Sequence, residues 1–199
     1  MKLRGLYAIT PERLDRVAEA IGSGALCALQ YRSKSADRAR RRDEARVLAL
    51  LCRRHGVPLI INDDVELALE VGAGGVHLGR DDGSLAAARA RLGARTLGVS
   101  CYDSLAAARA AGAAGADYVA FGSVFASPPK PGAVRAPLAL FSHALGVPKV
   151  AIGGVTAENA PRLAAAGADA VAVISDLFDA PDVAARAREY AKVFAHGIA

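Results

Sequence analysis

Apolar residues in this chain come in short runs of strand length, separated by stretches with helical spacing, and the alternation repeats from end to end. Leu6-Tyr7-Ala8-Ile9 reads as a first strand. Thr10-Pro11-Glu12 then reads as a helix start, with Thr10 as cap and Pro11 at the first helical position, and the helix extends to about Ile21. Leu26–Tyr31 is a second strand, followed by a long helix from Asp37 to His55. Leu59-Ile60-Ile61 is a third, broken off by Asn62-Asp63-Asp64, and Val65–Val71 has helical spacing up to Gly72. Val76-His77-Leu78 is a fourth strand, ending in Gly79 and the acidic pair Asp81-Asp82. The pattern continues with a helix over Ser84–Leu92, a strand at Leu97-Gly98-Val99, a helix from Ser104 and a strand over Asp117–Phe121. A short helix over Pro137–Ala144, a strand over Val150–Ile152, a helix capped by Thr156 and ending near Gly167, a strand over Ala170–Ile174 and a helix over Asp182–His196 complete it.

An internal echo supports this count. Gly72-Ala73-Gly74-Gly75-Val76, Gly115-Ala116-Asp117-Tyr118-Val119 and Gly167-Ala168-Asp169-Ala170-Val171 repeat one phrase of helix stop, turn and strand start. Eight strand–helix modules of roughly 25 residues predict one compact, closed (β/α)8 barrel domain over residues 1–199. An open doubly wound sheet is disfavoured. No Gly-x-Gly-x-x-Gly follows the first strand, and polar groups follow nearly every strand instead of clustering at one switch point.

Composition narrows the class. The chain has 199 residues, is 53% hydrophobic, and carries no apolar run long enough to span a bilayer. Its start, MKLRGLYAIT, shows no signal-peptide core. Three cysteines, Cys27, Cys52 and Cys101, have no metal spacing and read as reduced thiols of a cytoplasmic protein. The net charge is +5, but the run Arg38–Arg42 falls on a helix beside Asp43 and Glu44, the pattern of a solvated face. Aromatics are 5% and are not interleaved with the basic residues, which argues against nucleic acid. Small anionic ligands suit the charge better.

Candidate chemistry collects after the strands, the edge where parallel α/β folds build sites. Asp63 or Asp64 and Asp81 or Asp82 follow neighbouring strands and are placed to share a hard divalent cation, with helix capping as the bland alternative for the first pair. Gln30, Arg32 and Lys34 alternate along an extended segment and suit a phosphate or diphosphate. Gly153-Gly154, with Ile174-Ser175 one module later, match the usual barrel phosphate site of backbone N–H groups. The longest irregular stretch, Gly122–Ala136, contains Ser127-Pro128-Pro129-Lys130-Pro131 and has the length of a binding loop or lid. His77, flanked by Val and Leu, reads as a satisfied interior histidine, and Cys101 is expected near the mouth without a base to activate it. No Ser-His-Asp set and no His/Cys metal cluster is placed by spacing. The residues therefore point to Mg²⁺-assisted chemistry on phosphorylated small molecules.

In this order and at these loop positions, the motifs resemble the thiamine phosphate synthase family from Gly5 to Ser175. Gln-x-Arg-x-Lys is matched by Gln30–Lys34, Asn-Asp by Asn62-Asp63, and Gly-Val-His-x-Gly-Gln-x-Asp by Gly75–Asp82. Gly-x-Ser is matched by Gly98–Ser100, and Ile-Gly-Gly by Ile152–Gly154. The resemblance implies condensation of hydroxymethylpyrimidine diphosphate with a thiazole phosphate, giving thiamine phosphate and diphosphate. It implies Mg²⁺ on Asp63 and Asp82. It further implies Gln30, Arg32, Lys34, Asn62, Ser100 and Lys130 at the pyrimidine diphosphate, with Arg32, Lys34 and Lys130 assisting its departure. Ser127, Gly154, Ile174 and Ser175 are implied at the thiazole phosphate. Two positions depart from the family pattern: Arg80 stands in place of Gln, and Pro129 in place of a hydroxyl residue. The partners expected are these small molecules, with neither nucleic acid nor membrane, and a homo-oligomer is left open. A thiazole tautomerase of the same fold is the enzyme alternative; a non-catalytic phosphate-ligand or RNA-binding protein is the alternative of another class.

Overall fold

Eight parallel strands close on themselves in sequence order, β1 to β8, each bonded to the next and β8 to β1. The computed structural model describes residues 3–126 and 135–195. The strands are β1 Gly5–Ile9, β2 Leu26–Tyr31, β3 Leu59–Asn62, β4 Gly75–Leu78, β5 Thr96–Tyr102, β6 Tyr118–Gly122, β7 Lys149–Ile152 and β8 Ala170–Val173. The helices are α1 Val17–Gly22, α2 Arg38–Arg54, α3 Val65–Glu70, α4 Leu85–Leu92, α5 Leu105–Ala113, α6 Ala160–Ala165, α7 Ser175–Phe178 and α8 Val183–Ala195, and a 3₁₀ turn covers Leu138–Ser142. This is the (β/α)8 barrel that the repeat of modules predicts.

The alternation of side chains along each strand makes two cores. Outward residues such as Leu6, Leu29, Ile61, Val76 and Val119 pack with the helices in one large cluster. Inward residues, including Tyr7, Ala28, Ile60, Tyr118, Ala120, Val150, Ala170 and Ala172, fill the barrel in a second. The inner set is mostly small, which leaves room for the two tyrosine rings, set edge to face at 5.8 Å. Gly98 makes the same allowance from β5: a Cβ there would strike the Tyr118 ring.

Three of the expected helix starts are capped by their own side chains. Asp37, Ser84 and Ser104 accept from the N–H groups of Arg40, Ala87 and Ala107. The expected start of the first helix is not. Thr10 caps nothing: its hydroxyl donates to the Arg32 carbonyl and accepts from the Arg32 N–H, so it ties the end of β1 to the loop after β2. A tertiary partner took the hydroxyl that local propensity assigned to a helix, and α1 begins only at Val17. Thr156, by contrast, caps as expected: its hydroxyl accepts from Asn159 N while Asn159 Oδ1 accepts from Thr156 N, a reciprocal exchange that heads the turn leading into α6. The one-turn α7 is an addition to the expected elements.

The repeated phrase has a physical basis. Gly72, Gly115 and Gly167 all have positive φ, as helix stops require. In the second and third copies the aspartate then reaches the preceding strand: Asp117 accepts from Leu97 N at 2.7 Å, and Asp169 from Lys149 N at 2.8 Å. In the first copy Gly74 stands in place of Asp and makes only the backbone bond common to all three copies, from its N–H to the Leu59 carbonyl.

Candidate active site

Because all strands run the same way, the loops after them share one rim of the barrel. Asn62-Asp63-Asp64 makes a tight three-residue turn there, with Asp64 N bonded to Asn62 O at 2.8 Å and Asp63 at φ +63°. Positive φ in a residue with a side chain is strained, and such strain collects at functional sites. The turn is pinned to β4 by the bond from Asp63 N to His77 O, 2.8 Å. It also divides the labour of the acidic pair. Asp64 caps α3 through Leu67 N and pairs with Arg41 at 3.3 Å. Asp63 caps nothing and faces Asp82, whose own carboxylate is held by Gly79 N at 2.6 Å.

Partial desolvation, then the Asp82 carboxylate beside it, pushes Asp63 up to about 6; Arg32 and the Asn62 amide pull the other way. Two facing carboxylates at a strand-end rim are a donor pair of the kind that binds a divalent cation. Among the described residues no group of three or more His, Cys, Asp or Glu side chains forms a closed metal cage. Two carboxylates completed by phosphate oxygens of a ligand fit Mg²⁺ better than any metal that needs an all-protein shell.

Arg32 and Lys34 are exposed on the loop after β2, and Arg32 lies near enough to Asp63 to act on its charge. Gln30 is buried inside the barrel, donating to Tyr7 Oη at 3.0 Å. Ser100 is half-buried and bonded to His77 Nε2 at 2.8 Å. His77 is the satisfied interior histidine expected, with its Nδ1 2.9 Å from Tyr118 Oη, and burial lowers its pKa to about 4. Cys101 is a correction: it turns away from the mouth into the outer core, its Sγ near Val99 O, with burial pushing the thiol up to about 12. Strand alternation sends neighbouring Ser100 and Cys101 to opposite faces.

On the far side of the rim, Gly153 and Gly154 have φ +100° and +64°. The loop after β6 lies on them, with Phe125 N bonded to Gly153 O at 3.0 Å; a Cβ at Gly154 would strike the Ala126 carbonyl. Ile174 and Ser175 lead into α7 on the adjacent strand end. Ser127 and Lys130 lie outside the described residues. Tyr7 and Tyr118 were not singled out from the sequence, although an aromatic in an inward register beside glycine and alanine is a readable signal. Arg80 stacks on the Tyr102 ring, 4.9 Å from its centroid. The arginines of α2 are engaged with acids, Arg40 with Glu44 at 2.7 Å and Arg38 with Glu70 at 3.7 Å, as a helix face would be.

A (β/α)8 barrel with paired carboxylates and exposed cations at the C-terminal ends of its strands is an enzyme scaffold of the class that handles phosphorylated small molecules. Its likeness to known proteins makes the class particular. A family described as "Thiamine monophosphate synthase" matches residues 6–177, and the chain belongs to that family. It is 57% identical to the thiamine-phosphate synthase of Chromobacterium violaceum, over 97% of both chains. It is likewise 57% identical to that of Azoarcus sp. strain BH72, over 98% of both. Among solved structures, thiamine phosphate pyrophosphorylase from Pyrococcus furiosus superposes with a TM-score of 0.86 at 32% identity, covering 97% of this chain and 96% of the other. A 3-hexulose-6-phosphate synthase, at 19% identity and a TM-score of 0.71, shares the fold.

Proposed function

We propose that this enzyme condenses hydroxymethylpyrimidine diphosphate with thiazole phosphate to thiamine phosphate and diphosphate. Family membership and the high identity to thiamine-phosphate synthases support the reaction. The observation in the fold that carries it is the facing pair Asp63 and Asp82, with Arg32 beside it.

In the reaction the bond between the pyrimidine methylene and the diphosphate oxygen breaks, and a bond from that carbon to the thiazole nitrogen forms. The electron-rich aminopyrimidine stabilises positive charge at the methylene, so diphosphate leaves first. Catalysis then needs charge opposite the leaving group and alignment of the nucleophile, with no protein base at the carbon. Asp63 and Asp82 are assigned to hold Mg²⁺, which when bound neutralises the diphosphate as it departs. Arg32 and Lys34 give fixed positive charge on the same side, and Lys130 is assigned with them. Asn62 holds the Asp63 carboxylate, its Nδ2 2.5 Å from Oδ2, and is assigned to the same ligand. Gln30 and Ser100 are assigned to the pyrimidine ring. Gly154, Ile174 and Ser175, with Ser127 next in the chain after Ala126, are assigned to the thiazole phosphate. Three unpaired cysteines fit action in the cytoplasm.

The test is diphosphate release with both substrates and Mg²⁺. Asp63→Asn and Asp82→Asn are each expected to lower turnover at least ~100-fold, with partial recovery at high Mg²⁺. Without metal, Asp63→Asn is expected to raise the melting temperature at pH 7.5, because it removes one of two facing anions. Wild-type turnover in excess EDTA would refute the metal assignment. Interconversion of thiazole tautomers without condensation would refute the reaction.

A further inference from the structure

A row of buried side chains crosses the inside of the barrel from β2 to β5. Gln30 Nε2 donates to Tyr7 Oη at 3.0 Å. Tyr7 Oη lies 2.7 Å from Tyr118 Oη, which lies 2.9 Å from His77 Nδ1. His77 Nε2 lies 2.8 Å from Ser100 Oγ. Tyr7 and Tyr118 are 1% and 0% exposed, and His77 7%, so water does not compete for these bonds. The Tyr118 ring also stacks on the imidazole at 5.5 Å, in the space that Gly98 leaves.

Each inner member of the row has one proton and two partners. A tyrosine hydroxyl donates once. The imidazole is buried between two hydroxyls and bonded to no acid, so it is neutral and carries one N–H. One donor direction therefore sets all the others. With Gln30 donating to Tyr7, Tyr7 donates to Tyr118, and Tyr118 donates to His77 Nδ1. The imidazole proton is then on Nε2 and goes to Ser100 Oγ. Reversing one bond between these groups would point two donors at one hydroxyl and leave that hydroxyl's own proton buried without an acceptor, a costly arrangement.

We propose that this row is an oriented relay that fixes opposite hydrogen-bonding polarity at its two ends, an acceptor at Gln30 and a donor at Ser100. The Ser100 hydroxyl proton has no use inside the row and is available to a ligand. The Gln30 amide oxygen has no partner among the described residues and is not among the sealed, unpaired polar atoms. A ligand held between these ends must offer a proton on one side and a lone pair on the other. Resting on the synthase reading above, that ligand is the aminopyrimidine, whose exocyclic amine donates to Gln30 while a ring nitrogen accepts from Ser100. Tyr7, Tyr118 and His77 are thereby positioning residues: they touch no substrate but decide which edge of the ring is accepted.

The histidine tautomer reports the direction without substrate. In ¹⁵N NMR of the ligand-free, ¹⁵N-histidine-labelled protein, His77 is expected as the Nε2–H tautomer. Tyr118→Phe keeps the ring but removes the donor to Nδ1, and the Nε2–H fraction is expected to fall. In steady-state assays Tyr7→Phe and Tyr118→Phe are each expected to raise KM for the pyrimidine diphosphate roughly tenfold, with KM for the thiazole phosphate within about twofold. An Nδ1–H tautomer in the wild-type protein, or an unchanged tautomer in Tyr118→Phe, would overturn the relay. Equal KM changes for both substrates would overturn its role in ring selection. An Nε2–H tautomer in a protein that forms no thiamine phosphate would uphold the relay and remove the synthase reading instead.

Discussion

At the scale of single residues, environment separates groups that look alike in the sequence. Asp63 and Asp64 are neighbours, yet Asp64 is used by α3 and Arg41 while Asp63 is held in a strained turn opposite Asp82. His77 is a similar case, with a measurable consequence. Folded, it takes a proton only below about pH 4; unfolded, below about 6.5. The unfolded chain binds more protons throughout that window, so stability contributed by neutral His77 is complete above pH 6.5 and is lost as pH falls towards 4. The total is on the order of 3 kcal/mol. Asp63 contributes with the opposite sign, since its folded value is raised and its effect on stability worsens as pH rises through about 6. The two are separated by comparing variants. Urea unfolding between pH 4 and 7 is expected to show a shallower loss of stability on acidification in His77→Gln than in the wild-type protein. Parallel curves would show that the imidazole is not held neutral by the fold.

At the scale of elements, the repeated Gly-Ala-Asp phrase closes the bottom of the barrel. A glycine at positive φ ends the helix, and the aspartate two residues on holds an N–H at the start of the preceding strand. Asp117 does more than Asp169, because Arg89 also pairs with it at 2.6 Å. Asp169→Ala is expected to cost about 1.5–3 kcal/mol in urea unfolding, the scale of a hydrogen bond to a charged group lost at a partly buried N–H. Asp117→Ala is expected to cost somewhat more. Neither change is expected to alter kcat, since these residues sit at the N-terminal ends of the strands, opposite the rim that carries Asp63 and Asp82. A fall in turnover without loss of stability would contradict that separation.

At the scale of the whole molecule, closure of eight strands brings together residues from distant parts of the chain. Tyr7 and Tyr118 are separated by 111 positions but share a hydrogen bond inside the barrel. The interior tolerates them because Gly98, Ala28, Ala120, Ala170 and Ala172 are small. Gly98→Ala is expected to destabilise the fold by about 1–3 kcal/mol, the usual cost of overpacking, because the new methyl would overlap the Tyr118 ring. It is also expected to shift the His77 tautomer by moving Tyr118 Oη, a result visible by NMR even where thermal stability is only slightly reduced.

The order of strands and helices, the barrel and most of the rim residues were legible in the sequence, because each module carries its own hydrophobic period, cap and stop. Asn62 and Ser100 could be found in this way, since a polar residue at the end of a buried run marks the rim, and Asp82 and Gly154 lie in the loops that follow such runs. Tertiary structure alone decided which carboxylate of each pair faces the other, since that depends on the Asp63 turn and on what Arg41 and Gly79 hold. It also decided that Thr10 bridges two loops where a helix cap was expected, and that Cys101 points outward. The row from Gln30 to Ser100 was beyond local reading for the same reason. Its members are spread over five strands, and only closure of the barrel at matched register sets their polar atoms within hydrogen-bonding distance.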